Sequence, residues 1–404
     1  MTLPATQPAI IRNRVTWLAY LMLAYIAISQ SIRGPLMPFL RSELALNYTL
    51  GGLLPAALAI GLVFSGLMSD WLARRLSRRV VFWGGSIGLL VSVVMLARGH
   101  TFTSILIAAL GMGFCSSLTQ VMIQALLSDQ HGERRAIAIT EANVAASLST
   151  TLTPLIIGGM PLLGLGWRLI PLLPFFVLAS LGIFFHRAAI PDDSGTQNQS
   201  TAGKAHLPFT FWIYWMVLFL VVAIEMAIAV WATDFLANIV GLGGTRAALA
   251  FGAFPAAMLS GRMAGSRLTQ RWSSQVLLPA ALAVTLLGFP IFWLSRVAML
   301  NVLGLFIAGL GIANLYPLTL STAVGVAADQ SNQASARASL AVGTALLGIP
   351  LLLGWLSDQI GIQIAYGIVV LLALLAFAVV INNRFFVQRS HAPSPHRLPE
   401  DGKL

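Results

Sequence analysis

Charge is scarce in this sequence. Asp, Glu, Lys and Arg make up only 9% of its 404 residues, against roughly 25% in a soluble domain. A chain so poor in charge cannot cover a water-exposed surface. With 57% apolar residues and a mean hydropathy of +0.84, it belongs in a bilayer. Cysteine is almost absent too: the single Cys115 excludes an intrachain disulfide. Gly158-Gly159, Gly241-Leu242-Gly243-Gly244 and Gly309-x-Gly311 all lack the Gly-Lys-Ser/Thr ending of a phosphate-binding loop, so nothing here hydrolyses ATP. No His/Cys/carboxylate cluster suggests a metal and no Ser/His/Asp arrangement suggests catalysis. The expectation is a protein that is not an enzyme and has no cofactor.

What the chain has in abundance is long apolar runs. Crossing the hydrocarbon core takes about 20 helical residues. Twelve such runs are present, at 14–40, 47–69, 79–98, 102–127, 135–159, 167–186, 211–237, 245–268, 275–296, 299–324, 334–357 and 362–383. They are too long and too uniformly apolar for barrel strands, and a helix satisfies its own backbone in lipid. The first run is longer than a signal-peptide core and carries Arg33, Pro35 and Pro38, so a retained helix is expected.

The net charge of +11 is a matter of topology rather than of polyanion binding, so no nucleic-acid partner is expected. With both termini in the cytoplasm, the inner segments hold 18 Lys and Arg and the outer segments 5, namely Arg41, Arg98, Arg168, Arg246 and Arg296. Arg33 is left over inside a span. This asymmetry orients the chain and predicts a multi-pass protein of a bacterial-type inner membrane. Residues 187–210 read as a flexible cytoplasmic linker, with six-helix halves at 1–186 and 211–383 on either side. The Pro- and charge-rich segment 384–404 reads as a disordered tail.

The two halves resemble each other at an offset of about 195. The basic hinge running from Gly66 through Asp70, Arg74, Arg75, Arg78 and Arg79 has a degraded copy in Ser260-Gly261-Arg262 through Arg267 and Arg271. Pro154 to Gly158 matches Pro350 to Gly354, and Gly111-Met112-Gly113 matches Gly309-Leu310-Gly311 with a small shift. Tandem six-helix repeats are the arrangement of one large class of secondary transporters, whose substrate site lies between the halves near the midplane.

The motif Gly66-x-x-x-Asp70-x-x-Ala73-Arg74-Arg75-x-x-Arg78-Arg79, with twelve spans, resembles the loop signature of the major facilitator superfamily. Ala73 stands where that signature has a second glycine. Trp167-Arg168 and Gly309-x-Gly311-x-x-x-x-Tyr316-Pro317 extend the resemblance along the whole chain. It implies an all-α membrane fold of two pseudo-symmetric halves and alternating access by rocking. It also implies a cavity lined by spans one, four, seven and ten. Glu225-x5-Trp231-x3-Phe235-Leu236 is similar to span seven of the sugar-transporting fucose-permease-like branch. Thr153-Pro154-Leu155-Ile156-Ile157-Gly158-Gly159 departs in spacing and first residue from the span-five element of drug antiporters.

Charge placement assigns roles within this frame. Asp70, ending span two, accepts from an opposite-half helix N-terminus near Arg337 and span eleven, or pairs locally with Arg74. Either link is a gate that breaks when the cytoplasmic side opens. Arg78 and Arg79 are headgroup anchors, and Arg78 joins Asp70, Arg74 and Arg337 in the gating set.

Ionisable groups inside spans are costly and are functional candidates by default. Arg33 is either a planar fork for an anionic substrate or a structural or snorkelling arginine. Gly34 and Pro35 beside it loosen the helix and bring backbone close to a ligand. Glu225, with nothing polar around it, is the leading candidate to carry a proton in one orientation and release it in the other. The repeat offset sets Glu225 opposite Gln30, one turn from Arg33, so an Arg33–Glu225 pair is expected. Glu141 is a second proton candidate, although capping or pairing with Arg134 or Arg135 fits it better. Trp231 stacks a sugar-like ring or belongs to the interfacial belt. Asp358 is a turn residue, with Gly361 free to adopt positive φ.

Gln120 and Gln124 share a helix face in span four. With Tyr25 and Gln30 in span one, and Asn314 and Tyr316 in span ten, they complete the candidate cavity. The expected function is proton-coupled secondary transport of a small polar solute (a sugar, sugar acid or organic anion) by a monomer. Proton-driven efflux of drugs or metabolites is the alternative.

Overall fold

The structure is a computed structural model. It describes residues 12–186, 188, 190, 207–327 and 330–390, without the side chains of Asp70, Ala73, Arg74, Glu133, Ala136, Asn332 and 383–390. Among the described residues there is no strand, and twelve helices are long and apolar enough to cross a membrane. They are α1 (Arg14–Leu44), α2 (Tyr48–Ser69), α3 (Arg78–Arg98), α4 (Phe102–His131), α5 (Ile137–Leu163), α6 (Trp167–Phe185), α7 (Phe209–Asn238), α8 (Gly243–Leu268), α9 (Ser274–Leu294), α10 (Ala298–Gly325), α11 (Gln333–Ile360) and α12 (Ile362–Asn382). Every expected span is present, its ends shifted by about one turn at most. The end of the molecule where α1 begins and the 66–79 hinge lies is the basic end. The opposite one is the distal end.

Polar residues at the run boundaries start the helices. Asn13 accepts from Thr16 N at 2.9 Å, Asn47 accepts from Leu50 N at 2.8 Å, and Thr101 with Ser104 forms a capping box. These side chains satisfy orphan first-turn N–H groups. Breaks fall where helix formers run out. Ile32, next to Gly34-Pro35, divides α1 into Arg14–Ser31 and Arg33–Leu44. Asn314 stands between the two pieces of α10.

Each half packs around its own core. Leu18, Met22, Tyr25, Phe82 and Met112 centre the first. An aromatic knot centres the second, with Phe235 5.2 Å from Phe292 and 5.3 Å from Tyr366 between ring centroids. Offset or edge-on ring contacts of this kind add to burial. Lipid supplies little hydrophobic drive between helices, so close packing and interhelical hydrogen bonds hold each half together.

The helix that contains α12 continues to Ser390, past the 383 boundary at which a disordered tail was expected. Phe385-Phe386-Val387 keeps the segment apolar and no proline intervenes before Pro393. Residues 391–404, and most of the expected linker 187–210, lie outside the described residues.

Candidate functional site

A cavity of about 390 Å³ lies between the halves, lined mainly from the middle stretches of α1, α4, α5, α7, α8 and α11. Its two walls differ in chemistry. The first half contributes Gln30, Ser31, Arg33, Gln120, Asn143 and Thr150 among apolar neighbours such as Leu23, Ile26 and Met112. The second half contributes one ionisable group, Glu225. Its other lining side chains, among them Met226, Val230, Phe251, Phe254, Met258 and Leu346, are apolar.

Arg33 sits just beyond the break in α1. Its Nε donates to the Gln30 carbonyl at 3.0 Å and its Nη2 to Gln30 Oε1 at 3.2 Å. Gln30 is itself steadied, donating through Nε2 to Ser116 Oγ at 3.1 Å. The guanidinium is therefore oriented through a neutral amide and has no ion-pair partner among the described residues. Glu225 lines the same cavity without pairing with it, so the expected Arg33–Glu225 pair does not form. Arg262, expected in the second-half copy of the hinge, reaches across to the first half and donates to Ser147 Oγ at 3.2 Å. The loosened backbone at Gly34 approaches the other half rather than a ligand. A Cβ there would meet the Ala229 carbonyl oxygen at 2.5 Å.

Five residues expected in the cavity do not line it. Trp231 is fully buried, donating to the Pro350 carbonyl at 3.2 Å beside Tyr48. Tyr25 is equally buried, its hydroxyl spent on the Ser86 carbonyl at 2.8 Å. Asn314 bridges α10 to α8 through the Gly261 carbonyl at 2.7 Å. Its side chain therefore serves the helix break rather than the cavity lining. Tyr316 and Gln124 also lie outside the lining. Thus α10, expected to line the cavity, contributes nothing to it, while α5, α8 and α11 do. Asn143, Thr150 and Ser31 are lining residues that sequence reasoning passed over. Their signal was polarity inside apolar spans, a weak one for small side chains.

At the basic end, side chains brace each half internally. Glu141 pairs with Arg12 at 2.6 Å and accepts from the Tyr20 hydroxyl at 2.8 Å. Its partners are thus on or beside α1, not Arg134 or Arg135, because it faces that helix. Arg78 pairs with Asp129 at 2.5 Å, tying α3 to α4, and Arg79 donates to the His186 carbonyl. Arg337 is exposed. Its carbonyl accepts from Trp215 Nε1 at 2.8 Å, and it makes no ion pair among the described residues. The side chains of Asp70 and Arg74 lie outside the described residues, and so does the latch expected of them.

The distal end joins the halves. Arg41 of α1 and Asp234 of α7 form a 2.6 Å ion pair with the carboxylate 0% exposed and the arginine 13%. The Arg41 guanidinium also lies 3.4 Å over the Tyr48 ring. Asp358, expected to be a turn residue, instead caps the opposite half. Its Oδ1 accepts from Tyr48 N and its Oδ2 from Thr49 N, both at 2.8 Å, and Thr49 Oγ1 adds a 2.5 Å bond. A carboxylate at a helix N-terminus meets both orphan donors and the positive end of the dipole. Gly361 beside it does take φ 80°. At the α2–α11 crossing, a Cβ on Gly52 would meet the Pro350 carbonyl oxygen at 2.6 Å and Leu351 Cα at 2.8 Å, so that position admits no side chain.

Two six-helix halves meet around a central cavity, and residues 19–339 match the Major Facilitator Superfamily model. The chain belongs to the Major Facilitator Superfamily. It is a multi-pass membrane transporter and not an enzyme, as its relatives are. An uncharacterized MFS-type transporter of Yersinia pestis is 22% identical over 383 residues, spanning 93% of this chain and 96% of that one. Among solved structures, a bacterial homologue of the human lysosomal transporter Spinster, inward-facing and occupied, superimposes with a TM-score of 0.79 at 15% identity, covering 96% of this chain and 100% of that one. The nucleoside transporter NupG, as a D323A mutant, gives 0.77 at 13% identity over 92% and 99%. At these identities the structural likeness shows the shared superfamily fold alone.

Proposed function

We propose that this superfamily member is a proton-linked secondary transporter that moves a small organic anion by alternating access. The observation that carries the reading is Arg33: a cavity guanidinium oriented by Gln30, with no ion-pair partner among the described residues. An unpaired charge at membrane depth is costly, and an incoming carboxylate or similar anion would meet its remaining donors as a fork. A sugar or nucleoside fits less well. Its hydroxyls would face the second-half wall, where only Glu225 offers a polar side chain, and each unmet hydroxyl costs about 1–3 kcal/mol.

Glu225 supports proton coupling. It has no hydrogen-bond partner among the described residues and faces the cavity, so it can take up a proton on one side and give it up on the other. The distribution of Lys and Arg supports placing the basic end, with both termini, in the cytoplasm of a bacterial-type inner membrane. The described state would then be closed outward. A monomer suffices, since the cavity is completed within one chain.

Proteoliposome transport tests the reading. Arg33→Ala should abolish uptake of an anionic solute, and Glu225→Gln should abolish pH-driven accumulation while leaving solute exchange. Unchanged anion binding in Arg33→Ala removes Arg33 from the site, and accumulation still driven by pH in Glu225→Gln removes Glu225 from coupling. The apolar second-half wall favours a second reading, proton-driven efflux of a lipophilic drug or metabolite. Proton flux triggered by lipophilic cations but not by anions would establish it.

A further inference from the structure

The unequal walls of the cavity define a cargo with two ends. We infer that the substrate is a small amphipathic carboxylate that lies across the interface, head on the first half and apolar body on the second. This rests on the reading of Arg33 as the anion site and narrows it to one kind of anion.

The head has a site built for it. Arg33 is fixed through Gln30, which is anchored on Ser116, and Gln120 lines the same wall. An anion bound there exchanges water for charge-assisted hydrogen bonds on one side only. Across the cavity stand Met226, Met258, Phe251 and Phe254. Methionine and aromatic side chains gain from an apolar partner and return nothing to a hydroxyl. A sugar acid satisfies the first wall and wastes the second, whereas a lipophilic cation does the reverse and meets Arg33 with like charge. A carboxylate on a short apolar body satisfies both.

Size bounds the body. At about 390 Å³ the cavity lies near the lower end of small-molecule sites, which run from about 300 to 1,000 Å³. That suits an aryl or branched-alkyl acid and is too tight for an extended lipid chain. Bridging also gives the cargo a mechanical part. A molecule touching both walls joins the halves across the cavity and excludes water from both, while binding to one wall alone leaves the other hydrated.

The test measures binding of purified full-length protein in nanodiscs to phenylacetate, phenylpropionate and phenylbutyrate. Glucuronate, glucose and tetraphenylphosphonium serve as comparisons. The phenylalkanoates should bind more tightly than glucuronate, each added methylene improving affinity by up to about fourfold. Arg33→Gln should remove all carboxylate binding, with Arg33→Lys retaining part of it to show that the fold survives. Met258→Gln should flatten the chain-length series and narrow the gap between phenylbutyrate and glucuronate. If glucuronate matches phenylbutyrate in the wild type, the amphipathic assignment is overturned and the anion site stands. If no carboxylate binds but tetraphenylphosphonium does, both fall.

Discussion

The two ends of this transporter are held together in different ways. At the basic end, Arg12–Glu141, Arg78–Asp129 and the Trp215–Arg337 contact each join elements of one half. At the distal end, Arg41–Asp234 and the Asp358 cap on α2 join one half to the other. Among the described residues, the ion pairs of the basic end stay within one half, and the distal end adds one that crosses between the halves. The proposed alternating access needs both kinds of contact, one to keep each half rigid and one to close the halves on each other.

Substitutions can break this contrast, the most disruptive first. Gly52→Leu places a branched side chain where even a Cβ would collide with the Pro350–Leu351 backbone. It should hold the distal end open and reduce transport to background. A Val230→Cys probe in a Cys115→Ser chain should then react with a membrane-impermeant maleimide added on the distal side. Wild-type transport with an unreactive probe would overturn the closure at this crossing.

Asp234→Ala strands Arg41 in a mostly buried site, which should cost the closed state about 3 kcal/mol. Probe labelling should rise by roughly a hundredfold if closure is two-state. Removing Arg41 as well should restore part of that loss, and a strictly additive double variant would mean that the pair does not act as a unit. Asp358→Ala removes a cap worth about 1–2 kcal/mol, so labelling should rise by about tenfold. Arg78→Ala breaks an exposed pair inside the first half, worth below about 1 kcal/mol. It should lower thermal stability slightly and leave the distal probe unchanged. Increased labelling there would blur the distinction between the two ends.

Much of this was legible in the residues. Composition alone yields the twelve spans, and the repeat yields the halves. The same repeat also held the distal ion pair: Arg41 and Asp234 are 193 residues apart, close to the offset of about 195 that set Gln30 opposite Glu225. Charges at span ends are common as interfacial anchors, so the offset alone does not single out this pair. The acid-to-helix-terminus link reasoned for Asp70 is realised at the other end by Asp358, across 310 residues, a contact no local pattern encodes. Trp231, Tyr25 and Asn314 show the other limit. Each is a polar group in an apolar span, and only packing decides whether its hydrogen bond goes to a cargo or to a neighbouring helix.

The distal ion pair carries a further consequence for closure. Asp234 uses one carboxylate oxygen on Arg41. Its Oδ1 and the neighbouring Thr233 Oγ1 are buried without a partner among the described residues. The Asp234 oxygen beside the ion pair costs about 1–3 kcal/mol while α1 and α7 are together, and parting the helices opens it to water. Separation thus gives back in hydration some of what it loses in charge attraction. The pair is thereby a weaker clamp than its two charges alone would make it.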